Sequence, residues 1–377
     1  MTGSPMDLFR RTFAIIAAGA LVLTACGEAP EDDPVATPDD DAPDDPDADP
    51  DAEEPDEPDE PVDFTGCLVT DQGGVDDRSF NETAFAGLEQ AEEEFGIDTQ
   101  VLESQSEADF EPNIQSFIDQ DCDIIITVGF LLAEATESAA QANPDQLFAI
   151  VDETFEDDYD NLRELTFATD EAAFLAGYVA AGTTDTGTVG TYGGINIPTV
   201  SIFMDGYLAG VEYYNQENDA EVSVAGWDGS DGLFTGNFES QDDGRNVTDS
   251  LLQTGADIVM PVAGPVGLGT ATALEDFGSG LMIWVDTDGY ESVPQFQELM
   301  LTSVLKQMDV AVYESVRLAV EDQWEGGPYV GTLENDGVGI APFHDNEDAV
   351  PQEVRDALDE LEQGVIDGEI SVDPADY

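Results

Sequence analysis

Lys306 is the first residue whose chemistry stands out, because it is the only lysine among 377 residues. Arginine occurs seven times in the same chain and could serve any surface salt bridge. A compact ammonium with three rotatable donors suits ligand hydroxyls and ring acceptors better than the planar fork of arginine does. A structural salt bridge is the alternative for this lysine. Its scarcity favours a role in binding a ligand.

A carboxylate, an aromatic ring and an amide come together in the segment Asp71–Asn81, which reads DQGGVDDRSFN. Its glycines allow a tight turn after a strand, and Ser79 is placed to cap the helix that follows. Asp71 then lies at the carboxyl end of a strand, and Phe80 and Asn81 face the same crevice. Together these groups can stack on a planar heterocycle and bond to its edge. A capped helix with a core phenylalanine is the alternative, and the spacing alone does not decide between the two.

The chain lacks the combinations of residues that common enzyme active sites use. The single histidine, His344, has no Gly-x-Ser-x-Gly motif to serve, and neither cysteine of the globular part is predicted to be exposed. Zinc sites need clustered cysteine and histidine, and phosphate-binding loops need a Gly-x-x-x-x-Gly-Lys motif; both are missing. Counting carboxylates does not test for a glycosidase pair, since Asp and Glu occur throughout. We predict a protein that is not an enzyme and that uses no metal and no cofactor.

Cys67 and Cys122 each stand just before a strand-like apolar run, at residues 68–70 and 124–128. In a doubly wound sheet with strand order 2-1-3-4-5, the first and third strands are neighbours, so both cysteines lie at the same edge of the sheet. We predict a disulfide between them, which also suits an oxidising compartment outside the cell. Two buried free thiols are the alternative.

The candidate residues lie within a repeated alternation of strands and helices that begins near residue 66. Continuous apolar strands, such as Asp123–Val128 and Leu147–Val151, alternate with helices such as Phe80–Phe95. This pattern is typical of a parallel sheet that is covered on both faces. Because the alternation restarts at Thr188, we predict an α/β fold of two doubly wound parallel-sheet lobes. Ligands would bind in the cleft at the carboxyl ends of the strands.

Three predicted segments make up the globular part. Residues 64–185 form an N-terminal lobe and residues 186–299 a C-terminal lobe. Residues 300–377 complete the N-terminal lobe in part. Their predicted elements are a crossover helix over Val304–Val320, a hairpin over Tyr329–Ile340 and a final helix over Pro351–Gln363.

The first 25 residues have the features of a lipoprotein signal peptide. Arg10 and Arg11 precede an apolar run shorter than the ~20 residues of a membrane span, and small residues then precede Cys26. Cys26 is predicted to become the lipid-modified N-terminus, which would anchor the protein on the extracellular face of the cell membrane. An ordinary secretory signal with a chance cysteine is the alternative. The paired arginines also fit a twin-arginine signal, so the export route stays open.

Acidic residues dominate the composition. Residues 28–63 contain 19 acidic residues, nine prolines and no aromatic residue, so residues 26–63 are predicted to form a disordered, extended tether. The whole chain carries 86 acidic and eight basic residues, a net charge of −78. Such a charge destabilises a compact state in dilute salt and is screened at molar salt, which predicts a halophilic protein. It also argues against nucleic acid as a partner.

The segment Asp71–Asn81 resembles the opening motif of the basic membrane protein family, which comprises lipoprotein receptors for purine nucleosides that feed an ABC transporter. The resemblance continues in order over nearly all of residues 66–320. Its further segments are Val128–Ala133, Ala149–Asp152, Phe174–Tyr178, Gly190–Gly194, Gly255–Asp257, Val262–Gly264, Val285–Asp288 and Thr302–Lys306. The resemblance implies a type I periplasmic binding protein fold, a purine nucleoside as ligand, an ABC transporter permease as partner and a monomeric state. Riboflavin or another sugar-linked heterocycle is an alternative ligand, and a sensor that docks on a signalling receptor is an alternative function.

Each candidate residue receives a role from this resemblance. Phe80 and Phe238 would enclose the base between two aromatic faces, and Asp71 and Asn81 would bond to its edge. The ribose side would be lined by Asp152, Gly264, Asp286 and Lys306. Because the segment from Trp227 to Phe238 departs from the family's pattern, Trp227 or Phe234 could stack in place of Phe238. Asp288 is the alternative to Asp286.

Overall fold

The computed structural model describes residues 62–377. The predicted signal peptide, Cys26 and nearly all of the predicted tether lie outside the described residues. Twelve strands are present in the described part: β1 (Thr65–Thr70), β2 (Asp98–Leu102), β3 (Ile124–Val128), β4 (Leu147–Val151), β5 (Leu162–Phe167), β6 (Thr188–Gly193), β7 (Ser223–Ala225), β8 (Ile258–Val262), β9 (Leu281–Asp286), β10 (Met300–Lys306), β11 (Gly327–Gly331) and β12 (Val338–Ile340). Short 3₁₀ turns aside, the helices there are α1 (Phe80–Phe95), α2 (Phe110–Ile118), α3 (Ala133–Ala142), α4 (Thr169–Thr183), α5 (Pro198–Asn218), α6 (Gln241–Thr254), α7 (Gly267–Phe277), α8 (Gly289–Ser292), α9 (Met308–Val320) and α10 (Gln352–Ile366).

The strands form two six-stranded sheets, one in each lobe. The first sheet has the order β2-β1-β3-β4-β5-β11, and all its strands are parallel. The second has the order β7-β6-β8-β9-β10-β12, with only β12 antiparallel. Central strands β3 and β8 are buried along their whole length, as expected where helices cover both faces of a parallel sheet. The predicted α/β architecture of two doubly wound lobes is confirmed.

Three elements of the C-terminal segment differ from the prediction. Residues 304–306 do not begin a helix, because they end strand β10, in which Lys306 pairs with Val338. The helix begins after Gln307, whose φ of −77° and ψ of 60° are not helical. The predicted hairpin is wrong as well, since β11 joins the first sheet beside β5 and β12 joins the second beside β10. The second lobe therefore extends beyond residue 299.

The chain crosses between the lobes three times. It passes from β5 of the first sheet to β6 of the second through α4, which packs on α5. It returns after β10 through α9, which packs on α1. It crosses again between β11 and β12. Both lobes are thus built from distant parts of the chain.

Cys67 lies within β1 and Cys122 lies two residues before β3, and the structure joins them by a disulfide with their Cα atoms 6.1 Å apart. The bond links two neighbouring strands of the first sheet. Within residues 62–377, no helix is both long and apolar enough to cross a bilayer.

Candidate functional site

A cavity lies between the two lobes, at the carboxyl ends of the central strands. The cavity is lined from both lobes, and its lining includes the eight residues to which the resemblance gave a first-choice role in ligand binding. These are Asp71, Phe80, Asn81, Asp152, Phe238, Gly264, Asp286 and Lys306.

Two of the aspartates occupy equivalent places in the two lobes. Asp152 directly follows β4 and Asp286 ends β9, and these strands hold the same position in their sheets. Both residues have left-handed backbone conformations, with φ of 70° and 73°. Aspartate is one of the few side chains that tolerate this region, because its short polar group can bond locally. The turn at the end of each strand thus places a carboxyl group in the cleft.

Lys306 ends β10, and its side chain is only 2% exposed. Its Nζ donates to Oδ2 of Asp152 over 2.5 Å. The ammonium also lies 4.8 Å from the ring centre of Phe80 and 5.3 Å from that of Phe167, where aromatic faces attract a cation. Asp152 is the only hydrogen-bond partner of the Lys306 ammonium within residues 62–377. Two of the three donors of Nζ are therefore free to bind a ligand.

Burial controls the charge of the carboxyl groups around the ammonium. It raises the pKa of Asp286 to about 6, against the opposing effects of Lys306 and of a hydrogen bond from Ser79. It also raises the pKa of Asp152, which Lys306 holds down. Desolvation disfavours the charged form of a carboxyl group, and Lys306 opposes this effect of burial at both aspartates.

Asp71 and Asn81 form a second polar group in the cavity lining. Asn81 Nδ2 donates to Oδ1 of Asp71 over 3.1 Å and to Oδ2 of Asp77 over 3.2 Å. Burial raises the pKa of Asp71 to about 8, although the bond from Asn81 lowers it. Asn81 Oδ1 is buried and has no hydrogen-bond partner within residues 62–377. A protonated Asp71 can donate a bond to a ligand, and Asn81 Oδ1 can accept one.

The aromatic residues of the cavity come from different lobes. Phe80 begins α1 in the first lobe, and Phe238 precedes α6 in the second. The ring of Phe238 lies against Gly194, where an added Cβ would stand 2.2 Å from a ring carbon. Trp227 and Phe234 pack on each other edge to face, with ring centres 6.0 Å apart, and neither lines the cavity. The structure thus places Phe238 at the cavity rather than the two alternatives.

Sequence reasoning missed several residues of the cavity, above all Asp77 and Phe203. Asp77 receives the backbone N–H groups of Ser79, Asn81 and Glu82. It therefore caps α1, whereas the side chain of Ser79 makes no capping bond, so the capping role expected for Ser79 was wrong. Phe203 lies on α5, in a stretch from residue 186 to 204 without any charged residue. In so acidic a chain, that absence of charge was the available signal.

His344, the single histidine, lies outside the cavity lining. Its Nε2 lies 2.7 Å from Oδ2 of Asp288, and its ring stacks on Tyr290 with centres 4.1 Å apart. Asp288, the alternative to Asp286, is therefore already paired and does not line the cavity.

The family model of the Bmp proteins, described as ABC transporter substrate-binding protein PnrA-like, matches residues 64–376. The chain belongs to this family. The match covers the whole two-lobed part described above, which agrees with the resemblance found in the Asp71–Asn81 motif. Members of the Bmp family are substrate-binding proteins rather than enzymes.

Individual relatives of the chain extend over most of its length. The CD4+ T-cell-stimulating antigen of Listeria monocytogenes is 31% identical over 96% of this chain and 98% of its own. The ABC transporter nucleoside-binding protein BmpA of Lactococcus lactis is 30% identical over 82% of this chain and 89% of its own. A solved structure of an ABC transporter solute-binding protein from Aeropyrum pernix has a TM-score of 0.74 and 28% identity, covering 82% of this chain and 92% of its own. The Bmp fold and the role of substrate-binding protein are thereby shown for this chain.

Proposed function

We propose that this substrate-binding protein captures a nucleoside, with a purine nucleoside as the first expectation. The main observation in support is the composition of one cavity, in which a buried ammonium, several buried carboxyl groups and phenylalanines from both lobes meet. The relative named as a nucleoside-binding protein supports the same ligand class.

The ribose side of the ligand would lie against Lys306, Asp152 and Asp286. Carboxylate oxygens accept bonds from vicinal hydroxyls, and the free donors of the ammonium bond to hydroxyl or ring oxygens. A nucleoside is neutral, so the surrounding carboxyl groups do not repel it. A phosphate would face those carboxyl groups with a single lysine to balance them, so a nucleotide is disfavoured.

The base would lie between Phe80 and Phe238, because both rings reach the cavity from opposite lobes. Stacking on an aromatic side chain contributes roughly 1–3 kcal/mol per base. The protonated carboxyl of Asp71 would donate to a ring acceptor, and Asn81 Oδ1 would accept from an N–H of the base. A buried acceptor without a partner costs free energy, so a ligand that supplies a donor there is favoured.

We further propose that the protein works as a monomer on the extracellular face of the cell membrane. Cys26 would carry the lipid, residues 26–63 would act as the tether, and the filled receptor would deliver its ligand to the permease of an ABC transporter. The sequence features of the N-terminus support the anchor, and relatives in Pyrococcus are named lipoproteins.

Calorimetry in molar salt tests the ligand class directly. The protein would be titrated with guanosine, inosine, adenosine, cytidine and riboflavin. Binding of the purine nucleosides with weaker binding of cytidine supports the proposal. If only riboflavin binds, the ligand is another sugar-linked heterocycle and not a nucleoside. If none of the five compounds binds, the proposal is contradicted.

The variant Lys306→Ala tests the site. We expect it to bind the same nucleoside about 10- to 100-fold more weakly, because a hydrogen bond to a charged group contributes roughly 1.5–3 kcal/mol. Arg245→Ala is the matched control, since it removes one positive charge from a surface pair with Asp276. Unchanged affinity in Lys306→Ala would show that Lys306 does not bind the ligand.

A further inference from the structure

The loop before α1 makes hydrogen bonds to the opposite lobe that involve no ligand. Ser79 Oγ lies 2.6 Å from Oδ2 of Asp286 and 3.2 Å from the backbone oxygen of Val285, both at the end of β9. One residue earlier, the backbone oxygen of Arg78 accepts a bond of 3.2 Å from Nε1 of Trp284. We propose that Arg78 and Ser79 form a clasp that holds the two lobes closed without ligand and that Ser79 positions Asp286.

The hydroxyl of Ser79 is free to bond across the cleft because another residue caps the helix in its place. A serine at the start of a helix ordinarily accepts a bond from the first turn. Here Asp77 accepts the N–H groups of Asn81 and Glu82 with its two carboxylate oxygens. Ser79 is completely buried and donates across the cleft instead. Replacing the hydroxyl therefore removes a bond between lobes and leaves the helix cap in place.

The backbone of the loop is also held in an uncommon conformation that presents the clasp. Arg78 has a φ of 62°, a backbone conformation that few residues other than glycine adopt. Its N–H donates to Oε2 of Glu82 over 2.9 Å, which fixes this turn from within the first lobe. Its oxygen then points to Trp284, whose side chain is buried in the second lobe. Strained residues are often found at ligand clamps and switch regions. Arg78 fits such a role, because its N–H is bonded within the first lobe and its oxygen is bonded to the second lobe.

The clasp would affect the affinity for ligand by raising the fraction of the protein that is in the closed form. A ligand that binds the closed form has an apparent dissociation constant that falls as the closed form becomes more populated. The bond from Ser79 also fixes one carboxylate oxygen of Asp286, leaving the other for the ligand. Under the proposed function, Ser79 would therefore strengthen nucleoside binding without touching the nucleoside.

Lys306 provides a natural probe of closure, because it is the only lysine and is buried in the closed cleft. The ligand-free full chain would be treated with an amine-acylating reagent in molar salt, and modification of the peptide that contains Lys306 would be followed by mass spectrometry. We expect slow modification in the natural protein and about tenfold faster modification in Ser79→Ala, because the closed state loses a buried hydrogen bond to a charged group. Trp284→Phe, which removes the second donor, should also accelerate it.

Ser315→Ala is the matched control, since Ser315 is equally buried but its hydroxyl, among the described residues, bonds only to Ala311 within α9. It should react at the natural rate. Equal rates in Ser79→Ala and the natural protein would overturn the clasp, as would natural protein that reacts as fast as the chain unfolded in denaturant. Acceleration by Ser315→Ala would also overturn it, because general loosening would then explain the effect. No ligand is present, so this outcome does not depend on whether nucleosides bind.

Discussion

Burial raises the pKa of Asp71 to about 8, so its carboxyl group keeps a proton at neutral pH. In the unfolded chain the same group loses its proton near pH 4. Between these values the folded state binds one more proton than the unfolded state, so this group makes the free energy of unfolding fall as the pH rises. Its stabilising contribution is complete below about pH 4 and is lost as the pH approaches 8.

We therefore expect Asp71→Asn to change the pH dependence of stability. The amide fills the same space and does not titrate. The natural protein should lose stability relative to the variant by at most about 1.4 kcal/mol per pH unit between pH 4 and 8. Chemical denaturation of both proteins at pH 5, 6, 7 and 8 in constant molar salt measures this difference. A difference that stays constant with pH would show that Asp71 is ionised throughout.

Residue types alone predicted much of the site, but they did not predict which of two neighbouring residues has which role. Lys306 could be singled out because a lone lysine in an acidic chain is conspicuous. Asp77 and Ser79 could not be assigned in the same way, because both are good helix-capping residues and their sequence positions do not tell which one caps. That outcome depends on Asp286, which lies more than two hundred positions away in the chain.

At the scale of elements, burial decided which strands could be predicted. Strand β3 is buried on both faces and reads as a continuous apolar run, so its type and bounds follow from the sequence. Strand β5 contains both buried and partly buried residues, including the charged Arg163 and Glu164, and it was missed. Strand β10 runs into α9 with one intervening residue, and the apolar positions of both merge into one apparent helix. A local pattern also does not reveal that β11 and β12 join different sheets.

The crossing between β11 and β12 gives a testable packing constraint. A Cβ added to Gly337 would lie 2.3 Å from the Cα of Gly331, which is backbone and cannot move aside. We expect Gly337→Ala to lower the free energy of unfolding by about 1–3 kcal/mol, the usual cost of overpacking. Gly339→Ala is the control, because an added Cβ there meets nothing within 4 Å. Denaturation midpoints measure both effects, and equal midpoints would show that this crossing is loosely packed.

At the scale of the whole molecule, charge opposes folding in dilute salt. The chain has 86 acidic residues and only eight basic ones. Four of the described arginines already form surface ion pairs, with Glu82, Asp276, Glu314 and Glu347 among their partners. Such exposed pairs contribute little to stability, because water and salt screen them. Screening these pairs therefore costs little, whereas screening the repulsion among the unpaired carboxylates removes a much larger unfavourable energy.

Salt should consequently stabilise the folded protein. The screening length is about 10 Å at 0.1 M salt and 3 Å at 1 M, so most repulsion between surface carboxylates disappears over this interval. We expect the melting temperature to rise by roughly 10 °C or more from 0.1 M to 2 M sodium chloride. Sodium sulfate at equal ionic strength separates screening from exclusion of salt at the protein surface. Similar rises in both salts support screening, a rise in sulfate alone points to exclusion, and equal stability at low and molar chloride would contradict a halophilic protein.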